Sequence, residues 1–424
     1  MTTFRERAKR SMPPAMLSTM AALRKKLEPP PWEEAVLHGY APRRDPDEAM
    51  RLTFVLPNLA PETLFGGITT GLEIFFEVGR RLGSQCRIVL DEFNRPIDRE
   101  AVDKWARRAG VDPAAVEICP RSAEVQPIDL RRNDVFFAFN WYVTLNVFRL
   151  VEQQHALFGG ARRPLIYLMQ DYEPGFLSFS STHLFARSAL DLGDDVWGVF
   201  NSTQLHDYFR LQGHAYGREY VFEPKLPPAL RGFLAQGPAV KEKRILVYGR
   251  PSIPRNCYRS ILRGLRAWTA SHPQFSDWAV VSAGLRHPPE AIGAGRQLQS
   301  LGKLPLEDYA ALLRTTAVGV SLMASPHPSY PPLEMAHFGV TTLTNGYTCK
   351  NLSRAHDNIV TLRDIAPQTI ADALASACAR FESAPEAGWS AKSHMPEYLD
   401  ERPYPFLDAL AADIAAAVRE ANAA

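Results

Sequence analysis

Ser325-Pro326-His327-Pro328-Ser329-Tyr330-Pro331-Pro332-Leu333-Glu334-Met335-Ala336 is the densest group of chemically useful side chains in this 424-residue sequence. It follows an apolar run, Val318 to Leu322, and opens a helical stretch that ends before Gly339. A helix that starts at the C-terminal end of a strand offers unpaired N–H groups and a positive dipole end, which suits a diphosphate. Proline is tolerated in a first helical turn, but Pro331 and Pro332 remove two donors, leaving Tyr330 and Leu333. Glu334 lies one turn in, where a carboxylate can accept from ribose hydroxyls. A capped helix with a dipole-favoured glutamate is the plainer reading of the same residues. Gly249-Arg250-Pro251-Ser252-Ile253-Pro254-Arg255 also follows an apolar run. Two guanidinium forks five residues apart on one loop can clamp a diphosphate, unless both are simply solvated. Gly302-Lys303-Leu304 repeats the position after a third run: Lys303 can reach a phosphate, and the backbone at Leu304 a base edge.

Earlier in the chain, Gly66-Gly67 permits close approach of backbone to a ligand. It is neither GxGxxG nor a phosphate loop with lysine, so dinucleotide or ATP binding loses support. Gln170-Asp171-Tyr172-Glu173 follows the run Leu165 to Met169 and is expected to face a cleft, where Asp171 or Glu173 can orient or deprotonate an acceptor hydroxyl. Loop acids paired with a neighbouring arginine are the alternative. Asn140-Trp141 offers an amide and an aromatic face for a sugar ring, while Asn201-Ser202 reads as a helix N-cap. Cys86, Cys119, Cys257, Cys349 and Cys378 are scattered, with no CxxC pair, so reduced thiols are expected and no metal site. Asp45-Pro46-Asp47 has the spacing of a metal-binding DxD but lies in a proline-rich lead-in rather than at a strand end.

These residues need elements to hold them. Short apolar runs at Leu52–Leu56, Arg87–Leu90, Val135–Phe139, Leu165–Met169 and Val196–Phe200 alternate with amphipathic stretches. After the breakers Glu223 to Pro228 and Gln236 to Pro238, the alternation restarts at Arg244–Gly249 and continues through Trp278–Ser282, Gln297–Leu301, Val318–Leu322 and Thr341–Thr344. Such alternation implies parallel sheets covered on both faces. The expected organisation is a basic extension over 1–50, a Rossmann-like domain over 51–228, a linker over 229–242, a second Rossmann-like domain over 243–395, and a return helix over 396–424. Two such domains face one another across a cleft at the C-terminal strand ends. A net charge of +2 gives no field for nucleic acid. No apolar run reaches the roughly 18–20 residues of a membrane span, and a cytoplasmic protein is expected. Residues 1–26 carry seven basic side chains, one acid and apolar residues near helical spacing. They can rest on anionic lipid at the inner face of the plasma membrane, or pack on protein.

Three features together resemble the GT-B glycosyltransferases of the large retaining family four. These are the Gly66-Gly67 pair, Gly249-Arg250 with the second cation Arg255, and the Pro-Leu-Glu-x-Ala run ending in the Glu334 motif. The resemblance covers roughly residues 51 to 385. The family usually has two glutamates eight apart, and Pro326 stands at the first position. The run from Ser325 to Gly339 is similar to a narrower group, the rhamnosyltransferases of the WsaF type that build bacterial surface polyrhamnose. That resemblance implies a GT-B fold with an N-terminal helical extension. It also implies dTDP-rhamnose as donor, a glycan or lipid-linked glycan as acceptor, transfer with retention, and no cofactor or essential metal. By the same analogy Arg250, Arg255, Lys303 and Tyr330 hold the diphosphate, Glu334 the ribose, and Asp171 the acceptor. A non-catalytic sugar-binding scaffold or a nucleotide-sugar epimerase remains the alternative.

Overall fold

A computed structural model describes residues 36–61, 63–64 and 66–423. The basic stretch 1–26 and its helical extension lie outside the described residues. The first half contains, in chain order, β1 (Gly39–Arg44), β2 (Arg51–Leu56), α1 (Gly66–Leu82), β3 (Gln85–Phe93), α2 (Arg99–Ala109), β4 (Val116–Arg121) and β5 (Val125–Leu130). It continues with β6 (Asp134–Ala138), α3 (Trp141–Phe158), β7 (Leu165–Met169), α4 (Ser181–Leu190), β8 (Val196–Phe200), α5 (Thr203–Leu211) and β9 (Arg218–Val221). The short helix α6 (Pro228–Leu234) occupies the connection.

The second half runs β10 (Glu242–Gly249), α7 (Tyr258–Ser271), β11 (Ala279–Gly284), β12 (Glu290–Gly293), β13 (Arg296–Gly302), α8 (Leu306–Thr315) and β14 (Thr316–Val320). Then come α9 (Tyr330–His337), β15 (Thr341–Asn345), β16 (Ile359–Leu362), α10 (Pro367–Ser383) and α11 (Phe406–Ala423).

Each half is a seven-stranded sheet. The first has the order β4-β3-β2-β6-β7-β8-β9 with every pair parallel. The second has the order β12-β13-β11-β10-β14-β15-β16, parallel except for the edge hairpin β12–β13. Strands β2, β6, β7 and β8 are buried along their whole length, which is why they read as continuous apolar runs rather than alternating ones. Helices close both faces. Helix α1 turns Leu72, Phe75, Phe76 and Val78 into the first core, where Phe75 meets Phe54 and Phe137 edge-on or tilted. Its last turn carries Arg80 and Arg81 against the negative end of the helix dipole. Helix α2 starts on an Asp98 cap and ends at Gly110 in the left-handed region.

Two features depart from the sequence expectation. Residues 39–44, grouped with the extension, form β1, which pairs in parallel with β5 beside the first sheet. The stretch read as a linker holds α6, and Arg231 on it donates to the Leu226 and Asp400 carbonyls. The chain then crosses back at its end. Helix α11 packs on α1, puts Leu407, Leu410, Ile414 and Val418 into the first core, and receives the Tyr220 hydroxyl on Asp413. Among the described residues no helix is long and apolar enough to cross a membrane.

Candidate functional site

Strand order in both sheets reverses between neighbours that lie far apart in sequence, at β2–β6 and at β10–β14. Loops leaving the C-terminal ends of strands on either side of such a reversal diverge and open a crevice. The two crevices face each other across a cavity of about 650 Å³. Its C-terminal wall holds Arg250 and Arg255 after β10, Lys303 and Leu304 after β13, and Tyr330 and Glu334 of α9. Gly66 and Gly67 at the start of α1 form part of the opposite wall. Leu333, expected to offer its backbone N–H, has its side chain fully buried in the core beneath α9.

The charges on this wall are set for an anion. Among the described residues neither Arg250 nor Arg255 pairs with a carboxylate, and Arg255 lies 4.5 Å over the Phe176 ring of the opposite half. Glu334 is buried, and the Tyr309 hydroxyl donates to its Oε2 at 2.9 Å. Burial pushes the Glu334 carboxyl up to about 7, against that hydrogen bond. One of its oxygens is therefore held by protein while the residue faces the cavity. The glycine pair has a stricter reason than ligand approach alone. A Cβ at Gly66 would lie 3.0 Å from the Tyr330 ring, and one at Gly67 would lie 2.8 Å from Gln170 Oε1.

Asp171 sits at the seam between the halves, where the Ser325 hydroxyl donates to its Oδ1. Its own chain's Tyr172 N–H donates to the same oxygen at 2.8 Å. Burial pushes the Asp171 carboxyl up to about 6, opposed by the Ser325 and Tyr172 hydrogen bonds and by the charges of Arg255 and Lys350. Gln170 lies beside Gly67, but neither it nor Asp171 is among the residues that line the cavity.

The other residues expected to meet an acceptor are occupied by the fold. Asn140 caps α3 by accepting the Val143 N–H. Trp141 is buried and packs with Ala186 and Ala189 of α4, so its ring is not free to stack on a sugar. Glu173 accepts the Trp141 N–H at 2.7 Å and the Tyr167 hydroxyl at 2.9 Å, which holds the start of α3 to β7. Burial raises that carboxyl to about 7. Tyr172 is buried against Tyr208 and Phe209, with Arg187 donating to its hydroxyl. Following a strand was the signal that grouped these residues, but side chains on one short loop point in several directions. Sequence reasoning gave no role to Tyr309, which orients Glu334, or to Ser325, which meets Asp171. A hydroxyl 25 or 154 residues away in sequence carries no local sign of the partner it will find.

Asp45 and Asp47 pair with Arg131, and Asp45 also lies near Arg51, so this DxD is an ion-pair cluster. Among the described residues no group of three or more His, Cys, Asp or Glu is arranged to hold a metal ion.

Comparison with known proteins gives consistent matches. The family described as "WsaF, N-terminal domain" matches residues 51–203, and "WsaF, C-terminal domain" matches residues 243–375. The O-antigen biosynthesis protein RfbC of Myxococcus xanthus is 31% identical over 298 residues, which is 66% of this chain and 21% of the relative. The chain thus spans about a fifth of that protein's length. Among solved structures, sucrose-phosphate synthase from Thermosynechococcus elongatus superposes with a TM-score of 0.52 at 13% identity, covering 88% of this chain and 99% of that one. WaaG, a glycosyltransferase involved in lipopolysaccharide biosynthesis, gives a TM-score of 0.51 at 14% identity, with 86% and 99% covered. At such identities the likeness establishes the shared two-domain GT-B fold.

Proposed function

This chain belongs to the WsaF family and has the GT-B fold, and from that premise we propose that it is a glycosyltransferase. It moves rhamnose from dTDP-rhamnose to a growing cell-surface glycan, with retention at the anomeric carbon. One observation carries the reading: Arg250, Arg255, Lys303, Tyr330 and Glu334 line a single cavity opposite Gly66–Gly67. The name of the Myxococcus relative supports a role in surface-glycan synthesis.

In this reading the second domain holds the nucleotide sugar. Arg250, Arg255 and Lys303 neutralise charge developing on the departing diphosphate, so that no divalent ion is needed. Glu334, oriented by Tyr309, accepts from the ribose. The first domain presents the acceptor, and Asp171 at the seam accepts a hydrogen bond from its attacking hydroxyl. The donor phosphate then takes the proton on the same face from which the diphosphate leaves, which preserves the configuration.

Thermal melting with dTDP, UDP, GDP and ADP, each with and without EDTA, tests this. A ligand at one hundred times its Kd adds about 2.7 kcal/mol of stability. Stabilisation by dTDP that persists in EDTA supports the reading. A preference for UDP or GDP discards rhamnose, and no response to any nucleotide discards the transferase. Incubation with dTDP-rhamnose and a rhamnose-ended glycan then reads the product's anomeric configuration directly.

A further inference from the structure

Helix α4 carries an apolar patch on its outer side. Phe179, just before the helix, is 95% exposed, and Leu184 on the helix is 66% exposed. Phe185 beside it is exposed as well. The Phe179 ring lies on His183 with 4.9 Å between centroids, which keeps it against the helix. Scattered exposed apolar residues are ordinary, but two phenylalanines and a leucine gathered on one short helix form a patch. The arginine of the helix, Arg187, is paired with Asp191. The inner side of α4 is packed: Ala186 and Ala189 cluster with Trp141, Val36 and Leu37. The helix is also tied to the seam, because the His183 Nδ1–H donates to the Pro174 carbonyl at 3.0 Å. Pro174 shares its short turn with Phe176, the ring beneath Arg255.

The start of the described chain points to what covers the patch. Val36 and Leu37 belong to the same cluster, and the next residue is fixed in place. The His38 N–H donates to Asn146 Oδ1 at 3.1 Å, and its ring meets Asp91 at 2.6 Å. Residues 1–35 are therefore tethered beside α4. Within them Met12, Met16, Met20 and Leu23 recur at helical spacing, ahead of the Pro29 to Pro31 run. Residues 24–35 extend to at most about 40 Å. A ten-residue helix such as α4 is only about 15 Å long, so the methionine stripe is within reach of all of it. The chemistry also matches. Methionine is unbranched and fills irregular apolar surface, and its sulfur sits favourably at the edge of an aromatic ring. Phe179 and Phe185 present such rings.

We propose that residues 12–23 of this chain dock on the outer face of α4, with the methionine stripe against Phe179, Leu184 and Phe185. Photo-cross-linking of the full-length chain tests it. With p-benzoylphenylalanine in place of Phe179, irradiation is expected to join that position to the tryptic peptide 11–24 of the same molecule. Met16→Glu with Met20→Glu puts two carboxylates into the contact and should cut that yield at least about tenfold. Trypsin cleavage after Arg24 in the native protein reads the contact from the other side. Leu184→Glu, a change on α4, is expected to speed that cleavage about tenfold. Cross-links only to a second copy of the chain, no link to peptide 11–24, or a yield indifferent to the two glutamates overturns the proposal. Vesicles of phosphatidylglycerol supply the other arm. Binding to them that Leu184→Glu abolishes, with cleavage after Arg24 unchanged, makes the patch a lipid surface and overturns the proposal too. Should Leu184→Glu fail to fold, the paired methionine variant carries the comparison.

Discussion

Arg250 faces the cavity without a carboxylate partner, beside the Tyr248 hydroxyl, so its charge is not neutralised by the fold and can meet a phosphate. Its removal should therefore act on turnover rather than on folding. Arg250→Ala is expected to lower kcat/KM at least about tenfold, or about 1.4 kcal/mol of transition-state stabilisation, with the melting temperature nearly unchanged. Wild-type turnover in the purified variant would remove this arginine from the site. Asp171 differs, because it already has the Ser325 hydroxyl and its carboxyl titrates near pH 6. If the ionised form holds the acceptor, kcat/KM falls on the acid side with a midpoint near 6, since protonation removes the acceptor lone pair. Asp171→Asn should lose at least about tenfold in kcat, and its remaining activity should lack that acid limb. An unchanged limb in the variant would assign it to another group.

At the scale of elements, the site depends on how closely two strand ends approach. Gly249 ends β10 and Gly284 ends β11, and they are register partners. Gly284 adopts φ +140°, and a Cβ there would lie 2.3 Å from the Gly249 carbonyl oxygen. That neighbour is backbone and cannot swing away. Gly284→Ala is therefore expected to displace the turn carrying Arg250 and to weaken nucleotide binding by about tenfold or more, measured by titration with dTDP. Binding at wild-type strength would mean that the turn tolerates the shift. Helix α9 shows the same dependence on packing. Pro331 to His337 are all buried, so the element that presents Tyr330 and Glu334 is itself part of the core.

The whole molecule is tied together at both ends of its cleft. Across the seam, Asp171 meets Ser325, Arg255 lies over Phe176, and Tyr208 packs against Tyr347 with ring centroids 5.7 Å apart. At the connection the chain passes through α6 into the second domain and returns as α11 to pack on α1. The first core is thus built from residues at both ends of the described chain. Leu410→Ala should destabilise it by about 2–5 kcal/mol although Leu410 lies far in sequence from every strand it covers. Denaturant unfolding checks this, and a loss below about 1 kcal/mol would show that α11 contributes little.

Local order was legible in the sequence. Fully buried parallel strands read as apolar runs, the run at Pro331 to Ala336 marked a helix start, and Gly66-Gly67 marked a close approach. Each is dictated within a few residues by backbone geometry and burial. Three cations on two separate loops could be grouped because loops after parallel strands emerge on one edge of a sheet. Other features came only from packing between elements. Trp141 and Glu173 look from sequence like ligands, yet each is consumed by contacts with α4 and with the start of α3. Strand periodicity and turn chemistry act over a few residues, whereas a side chain's freedom to bind depends on neighbours brought from distant parts of the chain. The elements were therefore determined by the sequence alone, and the choice of side chains left over for a ligand was decided by the tertiary structure.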